Sequence, residues 1–201
     1  FNILGFVGIA LCSWIICNVF VKIFINVKKE NNKIMVSPVK FMKHFSSMII
    51  AHLGVGLLIL GITGSSVWQK ENITRMKVND ETTINNYNIV FKEIKELRGP
   101  NYISLEGNFW VYNQEKKIIT ILNPENRIYH ITNNTTTEVS IHTNLLRDLY
   151  IVLGEGNLND GWIVRIYYNP LVIWIWIGVL IIVMGGLLAL NNNLKIIRHN
   201  N

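Results

Sequence analysis

One apolar run, residues 48–66 (MIIAHLGVGLLILGITGSS), constrains the fold more than any other stretch of the chain. A helix rises about 1.5 Å per residue and the hydrocarbon core of a bilayer is about 30 Å thick, so roughly 20 apolar residues make one membrane span. Extended back to about Phe45, the run reaches that length and contains one ionisable side chain, His52. Because polar side chains are costly in hydrocarbon, His52 is a candidate functional residue.

His52 has two interpretations that spacing alone leaves open. A neutral imidazole is a common ligand for metals, haem iron included, and it is also a common hydrogen-bond donor to a neighbouring helix. Gly56 and Thr63 share the helical face of His52, so the side chain one turn beyond the imidazole is missing, and a flat macrocycle or a closely packed helix would fill the gap. Gly54 and Gly61 form a second small face, of the kind that lets helices approach closely.

Two further apolar runs, 3–24 and 170–190, are also predicted to span the membrane. The loop between the first two spans carries five lysines against one acidic residue, and the chain ends with Lys195 and Arg198, so both basic flanks are predicted to lie inside. Lys22, near the end of the first run, is expected to reach the headgroups. The predicted order is helix 1 (1–26), inside loop (27–44), helix 2 (45–66), outside domain (67–169), helix 3 (170–190) and inside tail (191–201).

The polar insert has the periodicity of short strands that are rich in β-branched and aromatic residues and are separated by turn signals. The predicted strands are 87–94, 102–112, 117–122, 127–132, 149–154 and 162–167. A helical stretch is a further expectation at 138–146. The fold class is therefore an α+β membrane protein with three transmembrane helices and an antiparallel β-rich barrel or sandwich between the second and third.

Composition and motifs exclude several function classes. The insert is nearly neutral, so the net charge of +6 comes from the membrane-flanking segments and does not indicate a nucleic-acid partner. The sequence has no GxSxG, HExxH or P-loop motif.

Cys12 and Cys17 point about 140° apart on a helix, which predicts core residues and no disulfide. His130 and His142 lack nearby ligands at metal spacing and are predicted to be solvated surface residues.

Four linked segments resemble the carboxy-terminal part of the CcmF family, the membrane haem lyases of the System I pathway of cytochrome c maturation. They are AHLGVGLLILGITGSS (51–66), GPNY (99–102), the run NPENRIY followed by TTTEVSI and DLYIVLGE, and WIVRIYYNPLVIWIWIGVLIIVMGG (162–186). Their order and spacing match the family across roughly residues 40–190.

The resemblance implies that His52 is an axial ligand of a b-type haem whose second ligand is not in this chain, and that the β domain faces the periplasm or intermembrane space. It implies a part in covalent attachment of haem to the CxxCH segment of apocytochrome c. Implied partners are the rest of the haem lyase, a haem chaperone, apocytochrome c and membrane lipid. The family's tryptophan-rich haem-handling motif, of the WGxWWxWD type, and its other histidines are absent here, so catalysis within this chain is not predicted. The chain is expected to be a fragment or a split-gene product.

Three charged residues of the β domain are embedded in the shared motifs: Arg165, Glu138 and Asp148. They are hypothesised to dock partners, and the alternative is ordinary ion pairing within the domain. For the whole chain the alternative function is a non-catalytic membrane scaffold, while a transporter is disfavoured because no span carries a carboxylate at mid-depth. The abundance of Ile, Asn and Lys suggests an AT-rich genome, mitochondrial or bacterial, and hence either inner membrane.

Overall fold

The computed structural model describes residues 2–30, 47–131 and 134–199, in two compact units, 1–67 with 171–201 and 68–170. The described residues of the first unit form three helices: α1 (Ile3–Glu30), α2 (Ser47–Val67) and α3 (Val172–His199). Each contains a segment apolar and long enough to cross a membrane: Ile3–Ile25, Ser47–Val67 and Val172–Asn191. The predicted three spans are confirmed. Most of the basic loop predicted at 27–44 lies outside the described residues.

Helix α2 packs between the other two helices and contacts both. Its contact with α3 is unusually close at two glycines, because a Cβ atom on Gly54 would lie 2.7 Å from the carbonyl oxygen of Gly178. A Cβ on Gly61 would lie equally close to the backbone nitrogen of Ile175. The predicted small face of α2 is thus the face against which α3 packs. Cys12 and Cys17 are both free; Cys12 is buried, whereas Cys17 is exposed, so the prediction of a core residue is wrong for Cys17.

The second unit is an antiparallel β-sandwich of ten strands, which confirms the predicted fold class. The strands are β1 (Lys70–Met76), β2 (Glu81–Ile84), β3 (Tyr87–Arg98), β4 (Tyr102–Tyr112), β5 (Ile118–Leu122), β6 (Glu125–Tyr129), β7 (Thr135–Glu138), β8 (Ser140–Thr143), β9 (Arg147–Asn157) and β10 (Gly161–Pro170). One sheet has the order β1-β10-β9-β8, and the other has the order β2-β3-β4-β6-β7 with β5 also paired to β4.

The core lies between the two sheets and follows from alternation along the long strands. On β9, every second residue from Arg147 to Leu153 is buried, and the residues between them face outward. At the centre, the rings of Phe91 and Phe109 stack with centroids 4.5 Å apart, and Trp162 meets Phe91 edge-on at 5.8 Å. Such aromatic pairs add stabilisation beyond the area that they bury.

Two predictions about element boundaries are wrong. The helical stretch expected at 138–146 is absent, because β7 and β8 occupy this region and β8 pairs with β9, with Ile141 opposite Tyr150. β-branched residues along TTTEVSIHT favour strands, and pairing of β7 with β6 and of β8 with β9 satisfies their backbone groups. The third helix begins at Val172 rather than at Pro170, since Pro170 ends β10 opposite Arg147. Leu171 joins the two elements with φ of 61°.

Candidate functional site

A groove of about 680 Å³ lies between α1 and α2 and has His52 in its wall. Helix α1 presents to it a stripe of residues four apart, Trp14, Asn18 and Lys22, because residues at that spacing share one helical face. Helix α2 contributes His52 with mostly apolar neighbours. The remaining lining residues are Ile15, Val19, Met48, Ile49, Ala51 and Val55. The groove is therefore largely apolar with few polar groups, which is the usual composition of a small-molecule site.

The His52 imidazole is exposed and held in one orientation by its own helix. Its Nδ1 lies 2.7 Å from the backbone carbonyl oxygen of Met48, one turn earlier. A carbonyl oxygen only accepts, so Nδ1 carries the hydrogen and donates it, and in the neutral form of the ring Nε2 is the nitrogen with the lone pair. A backbone carbonyl on one ring nitrogen is a common arrangement for a histidine that ligates a metal through the other.

The gap at Gly56 is filled by protein. A Cβ atom on Gly56 would lie 2.9 Å from Cγ1 of Ile16, so α1 packs directly over this position. Of the two ways to fill the gap, a macrocycle or a closely packed helix, the helix is the one found. Thr63, on the same face, is buried and contacts Gly8 of α1. The groove lies on the other side of His52, toward Met48 and Lys22.

His52 would be a single ligand rather than a member of a metal cluster. Within the described part of the chain, no three His, Cys, Asp or Glu side chains gather as a metal ion would require. A porphyrin already supplies four nitrogen ligands to its iron, so a haem needs from the protein only axial ligands. The donor set in this groove, one neutral imidazole in an apolar wall, therefore suits a haem better than a bare metal ion.

The three motif-embedded charged residues of the β domain do not form one cluster. Arg165 and Asp148 lie on the outer face of the four-stranded sheet, on either side of the stacked rings of Tyr150 and Tyr167, whose centroids are 4.6 Å apart. Glu138 lies on the other sheet, where its Oε1 is 3.5 Å from Nη1 of Arg127. Glu138 thus has an ion pair within the domain, as the alternative interpretation expects, and docking stays a hypothesis for all three residues.

The structure also reveals polar residues that the sequence did not single out. Arg147 is only 2% exposed, and its Nε donates a hydrogen bond of 2.7 Å to Oη of Tyr87. Arg127 donates to Glu125 through Nε at 2.9 Å, and this guanidinium holds the pKa of the Glu125 carboxyl below its usual value. A charged residue is usually exposed, so the residue type does not identify either arginine. Tyr87 of β3 identifies Arg147, and Glu125, two residues earlier on β6, identifies Arg127.

The two histidines of the β domain differ. His130 is exposed, as predicted. His142 is half-buried opposite Leu149, so the prediction of a solvated residue is wrong for this position. Burial lowers the pKa of His142, and the charge of Arg147 lowers it further against the opposing effect of Asp148.

Comparison with known proteins gives one consistent result. The family model described as CcmF C-terminal beta-sandwich matches residues 67–170. The cytochrome c-type biogenesis protein CcmF of Escherichia coli K12 is 40% identical over 143 residues, which is 71% of this chain and 22% of that protein. The Pseudomonas aeruginosa PAO1 protein of the same name is 34% identical over 179 residues, which is 89% of this chain and 27% of that protein. The chain thus spans about a quarter of the length of these relatives.

A solved structure named Cytochrome c Heme Lyase CcmF has the same fold. It superimposes with a TM-score of 0.70 and covers 94% of this chain and 30% of its own. The sequence identity is 12%, so this likeness concerns the fold alone.

Proposed function

This chain belongs to the CcmF C-terminal beta-sandwich family, and we propose that it works as part of a membrane haem lyase in cytochrome c maturation, where His52 is an axial ligand of a b-type haem. The observation that carries the proposal is the hydrogen bond from Nδ1 of His52 to the carbonyl of Met48. That bond leaves Nε2 as the ligating nitrogen on the wall of an apolar groove. The second axial ligand would come from outside this chain.

The residues of the groove would each perform a distinct task. The carbonyl of Met48 fixes the orientation of His52, which would hold the haem iron through Nε2. The apolar side chains around it exclude water, which strengthens electrostatic interactions within the groove. A bound haem would supply one-electron chemistry there, and we propose that this serves to keep the delivered haem reduced.

The complete lyase would attach haem to the CxxCH segment of apocytochrome c. Each cysteine thiol adds across one vinyl group, so that a sulfur–carbon bond forms at one carbon and the thiol proton ends on the other. We assign none of this chain's own residues to that addition. This chain would contribute the b-haem ligand, and its β domain would contribute a docking surface for the rest of the lyase, a haem chaperone or apocytochrome c.

The location that follows is the bacterial inner membrane. Three apolar helices make the chain an integral membrane protein, and the relatives named above are bacterial. The mitochondrial alternative receives no support from them. The basic flanks of the spans favour an orientation with the β domain on the periplasmic side.

The test is a reduced-minus-oxidised visible spectrum of the purified membrane complex that contains this chain. We expect a b-type signal that is lost in His52→Ala and returns when imidazole is added to His52→Gly. His130→Ala, which removes an exposed imidazole from the β domain, is the matched control and should leave the signal intact. A signal unchanged in His52→Ala would contradict the assignment and favour the alternative, a membrane scaffold that binds no haem.

A further inference from the structure

Lys22 is the one charged side chain among the described residues that line the groove. Among the residues that the structure describes, it makes no ion pair. A lysine at the end of a span often extends to the lipid headgroups, and that was the expectation from sequence. Its place in the wall shared with His52 indicates a second use, because a charge within an apolar groove needs a partner of opposite sign.

Lys22 and His52 lie at similar depths in the membrane. Lys22 is three residues before the end of the α1 span at Ile25, and His52 is five residues after the start of α2 at Ser47. With a rise of about 1.5 Å per residue, these positions are about 5 and about 8 Å from the ends of their spans. The two ends belong to consecutive antiparallel spans and so lie on the same side of the membrane. Both side chains line the same groove, so one rigid ligand bound there would meet both of them.

The arrangement suits a flat, apolar ligand that has a negatively charged edge. His52 would offer a lone pair to a metal, the apolar residues of both helices would contact the body of the ligand, and the ammonium group of Lys22 would face an anion. Asn18 and Trp14 continue the stripe of Lys22 away from the charged end. Asn18 donates its amide hydrogen to the backbone oxygen of Trp14 at 2.7 Å, so this part of the wall is already ordered.

We propose that Lys22 binds the carboxylate groups of the haem whose iron His52 ligates. This inference rests on the function proposed above and adds to it the polar recognition that sets the orientation of the ring. Charge-assisted hydrogen bonds are about twice as strong as neutral ones, and an apolar surrounding strengthens them. Lys22 is therefore a specificity-determining residue, which selects a porphyrin with free carboxylates.

The test compares haem with its dimethyl ester, in which both carboxylates are blocked. The complex is stripped of haem in lipid nanodiscs and titrated with each ligand, and binding is followed by the b-type absorption spectrum. We expect Lys22→Met to weaken haem binding roughly tenfold while leaving the ester unaffected, because only haem presents a charge to the lysine. Lys22→Arg should restore the affinity for haem, and Lys77→Met, at an exposed position of the β domain, is the control.

Redox titration provides a second measurement that is independent of activity. Loss of a cation beside the carboxylates should lower the midpoint potential of the haem in Lys22→Met, since the ferric state carries the extra positive charge.

Equal binding of haem and ester to the wild type, or equal weakening of both in Lys22→Met, would overturn the inference and leave the role of His52 standing. If Lys22→Met lost a co-purified phospholipid but kept the haem affinity of the wild type, the inference would also be overturned. Lys22 would then be assigned to a headgroup phosphate. Failure of both ligands to bind the wild type would count against the proposed function itself.

Discussion

His142 lies on the inner side of β8, where burial has removed part of the water that would solvate a charged imidazole. Its pKa is lowered in the folded domain, first by burial and then by Arg147. The neutral ring is therefore favoured by folding, and the contribution of His142 to stability is present above its unfolded pKa of about 6.5. That contribution is lost as the pH falls through the lower pKa of the folded state.

We accordingly expect the stability of the β domain to decrease as the pH falls below about 6.5, and part of that decrease to vanish in His142→Gln. Thermal denaturation between pH 7.5 and pH 5 measures the effect. His130→Gln provides the control for removal of an exposed imidazole. An identical pH dependence in the wild type and His142→Gln would show that the folded domain does not disfavour protonation of this ring.

Arg147 is a buried cation whose guanidinium lies over the ring of Tyr87, with 4.1 Å between Cζ and the ring centroid. Its Nη1 is buried without a hydrogen-bond partner among the described residues. The residue is therefore held by packing and one hydrogen bond, and it bears a desolvation cost that these contacts do not fully offset.

Arg147→Ala should destabilise the β domain by about 2–3 kcal/mol, since it removes the hydrogen bond to Tyr87 and leaves a cavity. Arg147→Met should cost less, because it retains much of the packing and removes the unpaired charge. Chemical denaturation compares both with Arg165→Ala, which changes an exposed arginine and should stay within about 0.5 kcal/mol of the wild type. Equal losses in Arg147→Ala and Arg165→Ala would contradict the interpretation.

At the scale of the elements, the backbones of helices α2 and α3 approach each other closely at Gly54 and Gly178. The space between Gly54 and Gly178 leaves no room for a Cβ atom, because Ile182 of α3 also lies 2.8 Å from that position. Van der Waals packing at small residues drives the association of helices in lipid, where the hydrophobic effect contributes little. The contact therefore depends on both glycines.

Gly54→Ala should weaken this contact and cost about 1–3 kcal/mol, the usual effect of overpacking. Gly186→Ala is a matched control on α3, since a Cβ at Gly186 meets no atom within 4 Å and alanine favours helix by up to about 1 kcal/mol. Thermal stability of the protein in detergent distinguishes the two variants. If both changed the midpoint temperature equally, the close approach at Gly54 would have no energetic role.

At the scale of the whole molecule, the chain divides into a helical unit and a β-sandwich with its own core. Fully buried side chains such as Phe91, Phe109 and Leu149 all lie between the two sheets. Strands β1 and β10, at the two ends of the insert, pair along their length from Lys70–Tyr168 to Met76–Trp162. This pairing closes the domain at the point where the chain enters and leaves it.

A polypeptide of residues 68–170 is therefore expected to fold cooperatively without the helices. Phe91→Ala should destabilise it by about 3–5 kcal/mol, because the ring is fully buried and stacked on Phe109. Ile118→Ala, at a half-exposed position, should change stability by about 0.5 kcal/mol or less. Circular dichroism during urea denaturation measures both. A broad, non-cooperative transition of the wild-type polypeptide would mean that the sandwich needs the helices to fold.

The long strands were predictable because their own residues alternate. In β4, β9 and β10 apolar and polar side chains alternate along much of the strand, which matches burial of one face. Strands β1, β2, β7 and β8, with sequences KENITRM, ETTI, TTTE and SIHT, were not among those predicted. They are rich in polar residues, and the last three are only four residues long, so only pairing with a neighbouring strand makes them strands.

The sequence alone predicts the membrane spans, the antiparallel insert and the single intramembrane histidine. Hydrophobic length and alternation are local properties of the chain, so no tertiary structure is needed to find them. The surroundings of each functional side chain depended on the tertiary structure. Packing of α1 placed Ile16 over Gly56 and Lys22 beside the groove of His52. Pairing between distant strands buried Arg147 and His142 and separated Glu138 from Arg165. Contacts between residues far apart in sequence determine burial and partners, and no local pattern contains that information.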